Sequence, residues 1–165
     1  MKLDAVEALA GALNKHGVRF LVVGGLAVAA HGYLRYTADV DMVIQLDPAN
    51  IREAFAALTE AGYQPSVPVT GQQFGDQQLR DAWIADKGMV VLNFWSDQYR
   101  DTPVDVFVSE PFDFDTEYNE GLLQELAPGL ALRFPRLETL IQMKLSAGRP
   151  KDLIDVEYLR KSQSA

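Results

Sequence analysis

Residues 22–44 read VVGGLAVAAHGYLRYTADVDMVI. An apolar run enters Gly24-Gly25, an alanine-rich segment follows, and Asp39 and Asp41 then stand one residue apart in a second apolar run. Val18 to Val23, apart from Arg19, is apolar and partly β-branched, which predicts a central strand covered on both faces. Leu26 to His31, closed by Gly32, predicts a short helix. From residue 39 onward Asp39, Asp41 and Val43 alternate with Val40, Met42 and Ile44, the period of a strand. Residues i and i+2 of a strand project to the same face about 6.6 Å apart, so the two carboxylates leave the core together.

Two carboxylates placed in this way can bridge a pair of Mg²⁺ ions, which sit about 3.5–4 Å apart in two-metal sites. Asp105 in Pro103-Val104-Asp105-Val106-Phe107-Val108 alternates with its valines in the same manner. If its strand lies beside that of Asp39, three carboxylates converge. An oxygen-only donor set of this kind suits Mg²⁺ carried with substrate phosphates. Aspartate is disfavoured in strands, and here it recurs three times at outward-facing positions. Gly24-Gly25, at a junction of strand and helix, lets the backbone approach a phosphate closely. There is neither a Walker A loop nor a G-x-G-x-x-G fingerprint.

The remaining chain predicts a helix from Leu3 to Leu13 stopped by His16-Gly17, and a helix from Pro48 to Ala61 opened by Asp47 and stopped by Gly62. Weaker signals give a strand at 63–67, a polar loop at 68–78, a helix at 76–86 and strands at 89–95 and 104–108. They also give a helix at 117–126 and a strand at 130–134. Helices at 136–147 and 151–161, parted by Gly148-Arg149-Pro150, end the chain. The expected fold is a mixed sheet flanked by helices, α/β or α+β. At 165 residues it makes one domain, a core over about 1–134 and a C-terminal helical pair over about 135–162.

Composition narrows the chemistry. There is no cysteine and only two histidines, His16 and His31, which excludes disulfides, thiolate metal sites and histidine-rich ones. The net charge of −8 is uneven. Residues 1–132 hold 8 basic and 19 acidic residues, whereas 133–165 hold 7 basic and 4 acidic. No broad basic face for a long duplex is expected from this balance; a small anionic ligand held by a few local cations suits it better. The N-terminus has no signal-peptide pattern and no apolar stretch reaches the ~20 residues of a membrane span, so a soluble cytoplasmic protein is expected.

Val23-Gly24-Gly25, Asp39-Val40-Asp41 and Val104-Asp105-Val106, in this order, resemble the signature of the DNA polymerase β-like nucleotidyltransferase superfamily. The stretch from His31 to Asp39, with Leu140–Leu145 and Gly148–Asp155, is similar to the small bacterial AbiEii/AbiGii-type toxin and minimal nucleotidyltransferase group. The resemblance leaves 63–88 and 109–130 uncovered. It implies transfer of a nucleoside monophosphate from an NTP with release of pyrophosphate, two Mg²⁺ ions held by Asp39, Asp41 and Asp105, and phosphates cradled by Gly24 and Gly25. Asp105 would also assist deprotonation of the acceptor hydroxyl. It further implies an acceptor that is a tRNA end, a protein or a small molecule, and a toxin paired with an antitoxin protein. A catalytically silent nucleotide- or partner-binding module is the alternative. One departure from the family is Gly25, where relatives often carry serine.

Four more residues are candidates for phosphate binding. Arg35 and Thr37 lie in the turn leading to the carboxylates; Arg35 either meets a phosphate or forms an ion pair. Lys144 interrupts the apolar helical stripe Leu137, Leu140, Ile141, Leu145, where a lysine needs an anion or an outlet to solvent. Lys151 falls at the junction of the last two helices and, with Arg149, either touches ligand or pairs with Asp152 and Asp155.

Overall fold

The alternation of residues 39–44 becomes β2 (Val40–Ile44), which pairs antiparallel with β1 (Phe20–Val23) and parallel with β5 (Val104–Phe107). The computed structural model describes residues 1–164. The sheet has the order β1-β2-β5-β4-β3, where β4 (Val91–Trp95) and β3 (Gln64–Pro65) add antiparallel neighbours. A separate antiparallel hairpin, β6 (Leu122–Ala127) with β7 (Leu130–Phe134), lies with β7 against β1. The result is a mixed α/β fold, as the sequence pattern predicts.

Period-two alternation divides the sheet into two faces. Phe20, Val22, Val40, Met42, Ile44, Leu92, Phe94, Val104 and Val106 enter the main core with α1 (Leu3–Lys15) and α3 (Pro48–Glu60). The other face carries a smaller cluster of Leu21, Val23, Val43 and Phe114, against which Phe107, Phe112, Tyr118 and Met143 pack. Helices α6 (Phe114–Glu120) and α7 (Leu137–Ala147) lie on this second side, and α8 (Pro150–Gln163) packs on α7. Asp39 and Asp41 are in step with Val43, so they too emerge there.

Five expectations are corrected. The run ending at Val23 is an edge strand rather than a central one, although all four residues of β1 are buried. Its outer side is covered by the hairpin, which gives the same apolar signature as a central position. The helix after it, α2 (Gly24–Ala30), begins at the first glycine, so strand and helix join without a linker. The strand at 63–67 shrinks to two residues, and the loop at 68–78 contains a turn of helix, α4 (Gly71–Phe74), held by a reciprocal Thr70–Gln73 capping box. The helix expected at 117–126 is displaced: Asp113 accepts from the Thr116 amide and starts α6 three residues earlier. Gly121 ends it, and 122–127 becomes β6, turned into β7 at Pro128-Gly129, where Gly129 has φ +77°. By contrast α5 (Gln77–Lys87), α7 and α8 match the pattern within two residues.

The carboxylate of Glu117, 2% exposed, joins α6 to the start of α7. It accepts from the Arg136 backbone amide at 2.9 Å, the Arg136 Nη2 at 2.7 Å and the Thr139 hydroxyl. Burial pushes this carboxyl up, but the hydrogen bonds from Arg136 and Thr139 outweigh it and leave it below the ordinary glutamate range. A carboxyl lowered on folding contributes stability above its unfolded pKa, and that stability is lost as pH falls through its folded value. Glu117→Ala is therefore expected to cost about 2 kcal/mol at pH 7 and progressively less below about pH 4, measured by denaturant titration across pH. A cost that stayed constant with pH would assign the loss to packing instead.

Candidate active site

The register of β2 on β5 sets Asp41 directly beside Asp105, with Val23 on its other side. Asp39, one step before β2, completes the group. Each of the three offers a carboxylate oxygen, and these atoms lie within 4.8 Å of one another. On the far side of Asp105 stands Asn93 of β4, whose Nδ2 donates to Asp105 Oδ1 at 2.8 Å. Asn93 Oδ1 in turn accepts from the Ser66 hydroxyl, so the amide, and with it the Asp105 carboxylate, is fixed in orientation. Asn93 was not singled out from the sequence, although a lone amide within Val91-Leu92-Asn93-Phe94-Trp95 is a visible break in an apolar strand.

Three like charges at this spacing repel. Burial, and then the nearby charges of Asp105 and Asp39, push the Asp41 carboxyl up to about 6; Lys144 and Lys151 oppose the shift. Asp105 is also raised, first by burial and further by Asp39, with the Asn93 hydrogen bond acting against it. Among the described residues none of the three takes part in an ion pair: Arg35, Lys144 and Arg149 are engaged by other acids, and Lys151 acts on Asp41 without pairing with it. Converging carboxylates without a direct ion-pair partner are a donor set that fits a hard divalent cation such as Mg²⁺.

The two glycines are required by what crowds them. Gly24 has φ +66°, and a Cβ there would lie 2.1 Å from Asp41 Oδ2. Only glycine lets this carboxylate occupy its place. A Cβ at Gly25 would lie 2.4 Å from Thr37 Oγ1 and 3.2 Å from Arg35 Nη1. The segment from Arg35 to Thr37 thus folds over the start of α2, and the Thr37 hydroxyl stands where a side chain at position 25 would have been. The departure from serine at 25 is matched by a hydroxyl supplied from another part of the chain.

A cleft of about 1080 Å³ brings the sequence-derived residues together: Gly24, Gly25, Arg35, Thr37, Asp39, Asp41, Asp105, Lys144 and Lys151 all border it. Their surroundings differ. The Lys144 side chain is 8% exposed, and its ammonium meets Asp155 at 3.0 Å and Asp152 at 3.4 Å, so the lysine in the apolar stripe finds buried anions of α8. Arg35 grips Asp155 with two nitrogens, Nε at 2.7 Å and Nη2 at 2.8 Å. Arg149 pairs with Asp152 at 2.6 Å. Lys151 has no ion-pair partner among the described residues. His31 caps α2 and bonds the Pro135 carbonyl at 2.8 Å, a structural position. Phe94 and Phe114 are core residues, whereas Phe107 and Phe112 border the cleft.

Two solved structures of the antibiotic-resistance factor ANT(2'')-Ia have a similar fold. Its solution structure aligns with a TM-score of 0.59 at 14% identity, covering 98% of this chain and 82% of that one. Its crystal structure in complex with adenylyl-2''-tobramycin gives 0.60 at 12% identity, covering 98% and 88%. At such identities the likeness is one of fold. No curated protein matches the chain significantly in sequence. The model of a family described as nucleotidyltransferase of unknown function (DUF6036) matches residues 1–161, and the chain therefore belongs to that nucleotidyltransferase family.

Proposed function

We propose that the protein is a Mg²⁺-dependent nucleotidyltransferase that moves a nucleoside monophosphate from an NTP to an acceptor hydroxyl. The observation that carries this reading is the convergence of Asp39, Asp41 and Asp105 within 4.8 Å beside Gly24 and Gly25. Mg²⁺ held by these three carboxylates would supply Lewis-acid stabilisation of the charge that develops on the phosphoryl oxygens. Gly24 and Gly25 leave room for the phosphates against the backbone, Thr37 offers its hydroxyl to one of them, and Lys151 supplies an unengaged cation. The acceptor oxygen bonds to the α-phosphorus in line with the bond to the leaving oxygen, which breaks to release pyrophosphate. Asp105, held by Asn93, takes the proton of the acceptor hydroxyl.

For the acceptor, the likeness in fold to ANT(2'')-Ia supports a small molecule, since that protein's crystal structure holds adenylyl-2''-tobramycin. A tRNA end or a protein hydroxyl, acted on by a toxin held in check by an antitoxin, is supported by the motif resemblance in residues 31–39 and 140–155. The acidic body of the chain argues against a long duplex. No helix among the described residues is long and apolar enough to cross a membrane.

Incubation with each radiolabelled NTP, Mg²⁺ and a fractionated cell extract is expected to label one acceptor fraction. Measurable NTP binding without any labelled product would favour the silent nucleotide-binding module instead. Asp41→Asn is expected to abolish labelling while keeping the fold. Its stability has a predictable pH dependence. A carboxyl raised on folding to about 6 is a liability that is absent below its unfolded pKa and complete above its folded one. Without divalent ions, Asp41→Asn should therefore match the parent near pH 4 and exceed it by on the order of 2 kcal/mol above about pH 6. Equal thermal stability of the two proteins at pH 7.5 would remove the proposed penalty of burying the Asp41 carboxylate beside Asp105 and Asp39.

Thr37→Val keeps the shape and removes the hydroxyl. It is expected to weaken NTP binding about tenfold in a calorimetric titration; unchanged affinity would take Thr37 out of the phosphate site.

A further inference from the structure

Behind the phosphate end of the cleft lies a buried group of charges that the transfer chemistry does not itself use. Asp152 and Asp155 of α8 are 0% and 1% exposed. Three cations meet them. Asp155 takes the fork of Arg35 and the ammonium of Lys144, while Asp152 takes Arg149 and the second contact of Lys144. All three cations border the cleft, as does Asp152, and Asp155 does not. Asp155 thus stands back from the cleft wall, yet it binds one cation from the segment before Asp39 and another from α7.

A role confined to stability is a poor account of this group. Well-packed apolar side chains generally stabilise as much as a buried ion pair, because desolvation offsets the attraction. The charges are also unbalanced: three cations face two carboxylates, a net excess of one positive charge beside an anion-binding cleft. Arg35 is oriented in detail. Its Nε and Nη2 hold Asp155, its Nη1 donates to the Tyr36 carbonyl at 3.0 Å, and that same nitrogen lies over Gly25. The fork therefore fixes the turn that carries Thr37 and leads into Asp39.

We infer that Asp155 is a positioning residue: through Arg35 and Lys144 it holds two cations and the Arg35–Thr37 turn in the arrangement that receives the triphosphate. The inference rests on the nucleotidyltransferase reading above. It makes a prediction whose sign differs from that of simple electrostatics. Removing a negative charge near an anion site should tighten anion binding if charge alone matters. If Asp155 positions its partners, the same change loosens it.

The test is calorimetric binding of inorganic triphosphate with Mg²⁺ to the whole protein, well below its melting temperature. Asp155→Asn, nearly isosteric, is expected to bind about tenfold more weakly than the parent. Arg35→Lys keeps the charge but cannot form the fork, and should show a similar loss. The double variant should lose little more than either single one, since both disrupt one contact. If Asp155→Asn does not fold, Arg35→Lys, which leaves Lys144 on both carboxylates, carries the test alone. Equal or tighter triphosphate binding by a folded Asp155→Asn, or by Arg35→Lys in its place, overturns the inference. Failure of the parent protein to bind triphosphate overturns the nucleotide reading itself, and this inference with it.

Discussion

The parallel pairing of β2 with β5 is the constraint on which the rest of the site depends. It alone brings Asp105, more than sixty residues downstream, beside Asp41. A shift of one residue in that register would turn every side chain of one strand to the other face, sending Asp105 into the main core and Val104 or Val106 to the cleft. The register is well defended. Val40, Met42, Val104 and Val106 are all at most 3% exposed, so slippage would exchange buried valines for buried aspartates. The core that stabilises the sheet is thus what holds three mutually repelling carboxylates together.

Around this pairing the chain builds its site from segments far apart in sequence. The β1–α2 junction contributes two glycines, the segment before β2 a hydroxyl and an arginine, and α7 and α8 the remaining cations. Each contribution is set by local structure: Gly24 by its left-handed backbone, Lys144 by its place in the α7 stripe, Lys151 by the first turn of α8. What unites the last three segments is electrostatic. Asp152 and Asp155 are buried acids with several donors each, and both are held below the usual aspartate range despite their burial, by Arg149 and Lys144 at one and by Arg35 and Lys144 at the other.

Much of this was legible in the sequence where a pattern had a single structural meaning. The alternation around Asp39 and Asp41 admits only a strand, and the Gly148-Arg149-Pro150 break admits only two helices. The out-of-place Lys144 needs an anion or an outlet to solvent; the structure meets that need with Asp152 and Asp155 of another helix, and spacing along one helix cannot say which acid across the interface answers it. The apolar run before Gly24 was misplaced within the sheet because an edge strand covered by a hairpin is buried like a central one. Residues 117–126 differ from the expected helix because the competing signals are short: one aspartate cap at 113 and one glycine at 121 outweigh a weak helical period. Arg35 left an ion pair and a ligand contact equally open, since both need the same side chain in the same place.

The crowding of Gly25 by Thr37 also limits how this site can change. The two positions compete for one small volume, and that volume holds a single hydroxyl. A history that moves the hydroxyl between them cannot take its steps in either order. Enlarging position 25 first drives a side chain into Thr37 Oγ1, whereas trimming position 37 first opens the space and leaves this end of the cleft without that hydroxyl. A side chain at 25 and Thr37 in its present position therefore cannot both stand unless one of them shifts, so the effect of a change at either position depends on the residue at the other.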